Sequence, residues 1–416
     1  MEATPPTGRQ PGMAFILAIV FLDMVGLGVA IPVGPQLIAS FVGNDLSRAS
    51  IYVGLLGALY TGTMFLFAPL LGALSDRFGR KPVLLVALAA SVASYVSVYF
   101  APSLWVMLIG RGLGGLGGAS MTVAQTYIAD VSSHEDRAKN FGMVGAAFGF
   151  GFIVGPAIGG WLGGYGMRVP FLVAGLISLA SLLYGALVLP ESHKLENRRA
   201  FRWQEANPMG WIVTMRRHPE VQGFAIAMIW IWLGHQCLQN TWVLYTSLRF
   251  GWQPADNGMS LAAVGITSVI VQGFLIGKLV PMLGERRAIL GGLVWGAFAL
   301  AGYGLATQGW MMYVLIAVAS LGSIAGPTLQ GHVSKLVGPQ EQGAVQGALT
   351  SLTSLTGIVG PLIANNLFAY FTSPAAPVQV PGAAFFLGGA CTLVGAILAW
   401  RLLAREVSDT PVQQPA

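Results

Sequence analysis

Long apolar runs follow one another along almost the whole chain, separated by short polar punctuation. Each run holds about 20 residues or more, which is enough for a helix to cross roughly 30 Å of hydrocarbon. The pattern predicts twelve spans, at 13–38, 51–74, 82–101, 104–131, 140–163, 168–189, 220–246, 257–283, 288–306, 310–334, 343–371 and 382–404. The only long interruption is the polar stretch 190–219, rich in basic residues from Lys194 to Arg217. It divides the chain into a tail, 1–12, a first six-span unit, 13–189, a second, 220–404, and a tail, 405–416.

Composition agrees with this pattern. The chain is 55% hydrophobic and 9% charged, against roughly 25% charged for a soluble domain. A net charge of +6 in such a chain does not point to nucleic acid, because the basic residues sit at span ends as topological anchors. With both termini in the cytoplasm, every Lys and Arg is cytoplasmic except Arg48, Arg168 and Arg249 outside and Arg111 within a span. No small-residue cleavage site follows the first run, so it is read as a retained span. Cys237 and Cys391 lie inside spans and read as packing residues.

Glycines repeat at one offset. Gly72 and Gly277, Gly79 and Gly284, Gly142 and Gly347, and Gly155-Pro156 and Gly360-Pro361 are each 205 residues apart. The fold class is therefore an all-α polytopic membrane protein of two pseudo-symmetric six-helix bundles, an arrangement used for alternating access to a site between the halves.

Three local features carry chemistry. The turn Gly72 to Lys81 places Asp76, Arg77, Arg80 and Lys81 between two spans. Asp76 is expected near a helix N-terminus, which would stabilise its carboxylate by about 0.3–1 kcal/mol. Gly151, Gly155, Pro156, Gly159 and Gly160 form a small-residue face with a proline break, suited to close helix approach. Asp23 lies ~15 Å along the first span, where a carboxylate costs several kcal/mol unless protonated or paired. It is the candidate proton carrier, with Arg111 as its expected partner. Gly112 to Gly117 satisfies a dinucleotide-binding pattern but has no strand before it, so it reads as a helix-packing face. No P-loop is found, and no cofactor or metal is expected.

The turn, with Gly72, Asp76, Arg77, Gly79, Arg80 and Lys81, resembles the loop signature of the major facilitator superfamily. The stretch Gly151 to Gly160 resembles the fifth-helix motif of its drug/proton antiporters. Tyr127 to Asp130, Pro190 to Lys194, Gly284 to Arg287 and Leu349 to Pro361 resemble the tetracycline/proton antiporters. The resemblance implies that the turn, Asp130, the fifth-span glycines and Gly360-Pro361 serve gating, with the fifth span meeting its counterpart in the other half. It also implies a cavity lined by spans 1, 4, 7 and 10. The candidate substrate contacts are then Gln36, Gln125, His235, Gln236, Gln239, Asn240 and Gln330, with Tyr60 and Trp242 as aromatic walls.

The chain departs from the tetracycline pattern where Ser94, Thr267, Trp295 and Met64 replace an acid, a histidine, an acid and a glutamine. The resemblance implies proton-coupled efflux of a small amphipathic drug from a bacterial inner membrane, by a monomer that is not an enzyme. A metabolite uniporter or symporter is the alternative, and a membrane enzyme or sensor lacks any catalytic constellation in the loops.

Overall fold

The computed structural model describes residues 11–133, 135–193, 195–203, 206–338 and 341–409. Most of the expected N-terminal tail, Lys194 and the end of the C-terminal tail lie outside the described residues. Among the described residues there is no strand. The first set of helices is α1 (Pro11–Ala30), α2 (Gly34–Ser40), α3 (Leu46–Phe78), α4 (Arg80–Phe100), α5 (Leu104–Gly118), α6 (Ser120–Val131), α7 (Arg137–Gly163) and α8 (Val169–Val188). The second is α9 (Trp211–Arg217), α10 (Pro219–Phe250), α11 (Pro254–Ile270), α12 (Ile276–Leu283), α13 (Glu285–Leu305), α14 (Gly309–Ser320), α15 (Ala325–Lys335), α16 (Gln342–Thr372) and α17 (Ala383–Asp409).

Eleven helical stretches among the described residues are long and apolar enough to cross a membrane. The expected fourth span is the exception. It is built from α5 and α6, which break at Ala119, so neither piece is long enough alone. Both pieces pack along α3 and α4, which makes the break a step within one crossing. The expected first span is also shorter than the pattern predicted. α1 stops at Ala30, and α2 follows a turn containing Pro32, with Pro35 in its first turn.

Gly79 and Gly284 close α3 and α12 with φ of +103° and +79°. A side chain at either would be strained, which explains why both members of this repeat pair are glycine. In the first set α1 packs against α7 and α8, and α4 against α5 and α8; in the second, α10 packs against α16 and α17, and α13 against α17. The sets meet where α3 lies along α16 and α7 along α11. The fifth span thus packs on the eighth and the eleventh on the second, correcting the expectation that the fifth meets its own counterpart. A pseudo-two-fold relation between halves exchanges 5 with 11 and 2 with 8, so both contacts are the same contact repeated.

Among the described residues, contact between the sets runs from one end to about halfway along the helices and is tightest at that end. There Ser47 Oγ donates to the Ala369 carbonyl at 2.7 Å, Thr372 Oγ1 to Ser47 Oγ at 3.1 Å, and Ser50 Oγ to the Asn365 carbonyl at 3.0 Å. A Cβ on Gly54 would fall 2.8 Å from the Pro361 carbonyl, and one on Gly160 2.5 Å from that of Pro254. Only glycine lets the backbones approach this closely. Halfway along, Gly62 still reaches Ile358 at 3.9 Å and Gly149 reaches Val269 at 3.9 Å. Beyond them, no atom lies within 4 Å of the Cβ position at Gly142, Gly145, Gly273, Gly277, Gly343 or Gly347. The two sets form a cleft that is shut at this contact end and open at the end carrying the 72–81 turn.

Candidate functional site

Asp23 lies in the middle of α1, half-buried. Its Oδ2 accepts a hydrogen bond from Ser120 Oγ at 2.9 Å. Ser120 is itself buried and is the first residue of α6, immediately after the break. The glycines before it explain the local geometry. A Cβ at Gly115 would fall 2.2 Å from the Tyr60 carbonyl, and one at Gly117 2.2 Å from Ser91 Oγ. α5 is therefore pressed against both α3 and α4, and the glycine run read as a packing face is one.

Arg111 is not the partner expected for Asp23. Its guanidinium lies over the Tyr60 ring, 4.6 Å from the centroid. The reason is register: Arg111 sits about 2.5 turns before Ser120, on α5 where the glycine face brings Tyr60 alongside, and a cation takes the ring face. Tyr95 of α4 comes within 3.9 Å of the Cβ position at Gly26, about one turn along α1 from Asp23. These side chains are drawn from α1, α3, α4 and α5.

A second polar cluster surrounds the 72–81 turn. Arg80 is buried; its Nε donates to Asp130 Oδ2 at 2.9 Å, and its terminal nitrogen to Ser75 Oγ at 2.7 Å and to Asp76. Glu191 caps α4, accepting from the backbone N–H of Arg80 at 2.9 Å and of Lys81 at 3.2 Å. Asp76 falls in the last turn of α3, so the expected favourable helix end is the wrong one. The Arg80 cation holds it instead. Arg77 is exposed and stacks on Phe78. Gly72 approaches only Thr122 of its own set, at 4.0 Å. In the second set Glu285 accepts from Lys335, and His332 lies between Glu285 at 3.5 Å and Glu406 at 3.0 Å.

The glycine face of α7 divides between two neighbours. Gly151, Gly155 and Gly159 pack on Met24, Gly28 and Val29 of α1, whereas Gly160 faces Pro254 and Gly258 of α11. Gly360 packs against Gln236, and Pro361 against Gly54 and Gly57 of α3.

The nominated substrate contacts separate in the same way. Gln36 donates to Ser247 Oγ at 3.1 Å and to the Trp252 carbonyl at 3.3 Å, tying the shut ends of the two sets together rather than lining a cavity. Trp242 is buried, with Nε1 donating to Ser260 Oγ at 3.0 Å and its ring edge-on to Tyr303. It belongs to the core and is no cavity wall, because α11, α13 and α17 cover it at that level. Asn240 Nδ2 donates to Gln236 Oε1 at 3.1 Å, beside Gly57 and Gly357, at the junction of α3, α10 and α16. His235 and Gln239 are exposed on one face of α10, with Trp232 edge-on to His235 at 5.5 Å. Gln125 is exposed on α6, and Gln330 donates to Gln346 Oε1 at 2.8 Å.

Three of the four positions that depart from the tetracycline pattern are engaged locally. Thr267 bonds carbonyls of its own helix, Trp295 donates to the Val318 carbonyl at 2.8 Å, and Ser94 is buried against Gly114. Among the described residues no group of three or more His, Cys, Asp or Glu is placed to hold a metal ion. Reading the sequence missed Ser120, and took in Glu191 only as part of the 190–194 stretch, without a role. Ser120 had a signal, a hydroxyl inside a span one residue beyond the Gly117-Gly118 pair, but Glu191 sits in a loop whose path the sequence does not specify.

The sequence profile of the Major Facilitator Superfamily matches residues 13–281 and 222–416. The class C tetracycline resistance protein of Escherichia coli is 39% identical over 379 residues, covering 91% of this chain and 94% of that protein. The class G protein of Vibrio anguillarum is also 39% identical, over 85% of this chain and 89% of its own length. Among solved structures, the human organic anion transporter MFSD10 superposes with a TM-score of 0.70 at 22% identity, over 94% of this chain and 99% of that one. A D-xylose-proton symporter gives 0.71 at 18% identity, over 94% and 97%. At these identities the two structures speak for the fold alone.

Proposed function

The chain belongs to the Major Facilitator Superfamily, and we propose that it exports a small amphipathic drug-like compound, tetracycline first among candidates, in exchange for protons by alternating access. The observation that carries this reading is a carboxylate, Asp23, held by one serine in mid-span of a molecule whose two sets of helices close at one end and part at the other. Relatives named for tetracycline resistance at 35% to 39% identity support the substrate class. The bacterial sources of these relatives support a bacterial cell membrane, and the basic-residue distribution supports both termini in the cytoplasm, and so a cleft open to the cytoplasm here. In this reading units 13–189 and 220–404 rock about the halfway contacts, Gly62–Ile358 and Gly149–Val269, so that the shut end parts as the open end closes. Cytoplasmic drug enters between α6, α10 and α15, beside Gln125, His235, Gln239 and Gln330, and the lipid-embedded working unit is one chain.

The test is proton release from purified protein in detergent, followed with a pH indicator as tetracyclines are added. Release that saturates with drug is expected. A folded protein that binds a tetracycline without releasing protons would exclude antiport of that drug.

Rocking makes a second expectation. With Cys237 and Cys391 replaced by serine, oxidation of a Ser47→Cys/Thr372→Cys pair should fix the shut end and stop exchange in proteoliposomes until reductant is added. Full-rate exchange through completely cross-linked protein would mean that this end does not need to open.

A further inference from the structure

The break in the fourth span has a counterpart. The 3₁₀ turn Leu321–Ile324 separates α14 from α15, and Ile324 is 205 residues after Ala119, the repeat offset. Both halves therefore interrupt the corresponding helix at the corresponding place. Interrupted helices at matching positions of two repeats mark the region where transporters of this architecture work on their cargo.

What the two breaks carry differs. In the second half, the positions matching Asp23 and Ser120 are Met228 and Ala325. Both are buried in a single apolar core with Val221, Leu329 and Leu352. In the first half the same place holds a carboxylate and a hydroxyl bonded at 2.9 Å. The apolar version is enough to build the bundle, so the polar pair is not needed for folding. The Ser120 hydroxyl is held by the break: the Ala119 N–H returns to the Gly115 carbonyl at 3.3 Å, and the Thr122 N–H closes a short turn on Ala119 at 3.1 Å. Ser120 is thus fixed to the joint between α5 and α6, with its hydroxyl turned to α1.

We propose that Ser120 is a positioning residue for proton exchange at Asp23, linking the state of that carboxyl to the setting of the α5–α6 joint. This rests on the reading of Asp23 as the proton carrier. The ionised carboxylate accepts from Ser120. When a proton from cavity water binds Asp23, the carboxyl no longer needs that donor, the serine hydroxyl is released to accept from it or to turn back to its own helix, and α6 is freed to move relative to α1. Ser120 keeps its own hydrogen throughout, and the proton that leaves Asp23 returns to water.

The other groups around the carboxyl are few. α3 contributes Tyr60, α4 Tyr95 and α5 Arg111, whose guanidinium is taken up by the Tyr60 ring. α7 has no titratable side chain between Phe141 and Gly163, and the only one on α8, Tyr184, meets Phe15 edge-on.

The experiment is drug/proton exchange in proteoliposomes across a pH series, with Ser120→Ala, Ser120→Thr and Asp23→Asn in parallel and drug affinity measured separately. Ser120→Ala should slow exchange by about tenfold, as for loss of a hydrogen bond to a charged group, and displace the rate–pH profile by about half a unit or more. Drug affinity should stay near wild type, and Ser120→Thr should restore both rate and profile. An unchanged pH profile in Ser120→Ala overturns the proposal, as does equal loss in the alanine and threonine variants. If Asp23→Asn retains coupled exchange, the carrier assignment fails, whatever Ser120 does.

Discussion

Replacing Asp23 with asparagine is expected to abolish accumulation of drug against a gradient while leaving drug binding close to wild type. Asparagine keeps the shape of the side chain and can still accept from Ser120 at the observed 2.9 Å separation, so the packing of α1 on α6 is preserved. What it removes is the only acidic group that the sequence buries in mid-span, and with it the exchangeable proton. A charge moved through a field of 100 mV is worth about 2.3 kcal/mol, which corresponds to roughly a fiftyfold concentration ratio. Everted vesicles energised with a proton gradient should therefore concentrate drug strongly with wild-type protein and reach only equality with the variant. Asp23→Glu, which retains the group on a longer arm, should keep part of the activity. Uphill accumulation by the asparagine variant at the wild-type ratio would move proton coupling elsewhere in the molecule.

The spans could be read because lipid leaves a helix no choice but to be apolar along its length, and the halves because duplication left Gly79 and Gly284 where the backbone adopts positive φ. The interruption at Ala119 was less visible, since Gly117 and Gly118 read equally well as close packing, which they also are. Asp23 stood out as a lone acid, but its partner did not. Arg111 has the opposite charge and a plausible depth, yet charge carries no information about which face of α5 it occupies, and the Tyr60 ring on α3 takes it. Trp242 and Gln36 failed as cavity residues for a related reason. Helix membership assigned them to lining helices, whereas their height assigned them to the shut end, and height relative to a closing point depends on the conformation and not on the local sequence.

Removing the Arg80 side chain is expected to be the most destabilising single change in the polar cluster at the open end. Among the described residues Arg80 is the one cation facing Asp76 and Asp130 together, and its side chain is 7% exposed. In Arg80→Ala both carboxylates lose their counter-charge. Breaking a fully buried pair costs about 3–5 kcal/mol; with Asp76 40% and Asp130 23% exposed, water recovers part of that, leaving about 2 kcal/mol. The matching pair in the second half, Glu285 with Lys335, has the charges inverted at positions 205 residues on, and its side chains are 41% and 65% exposed. Lys335→Ala should therefore cost no more than about 1 kcal/mol. Inversion is tolerated there because the residue matching Asp76 is Pro281, so no second carboxylate demands a cation. That difference makes the two pairs non-interchangeable. Arg80→Glu combined with Asp130→Lys should stay destabilised, because Asp76 and the Glu191 cap would then face another acid. Thermal unfolding in detergent of both single variants, Lys335→Ala and the swap would decide it. A swap as stable as wild type would mean that Arg80 answers to Asp130 alone and that Asp76 is held by something else.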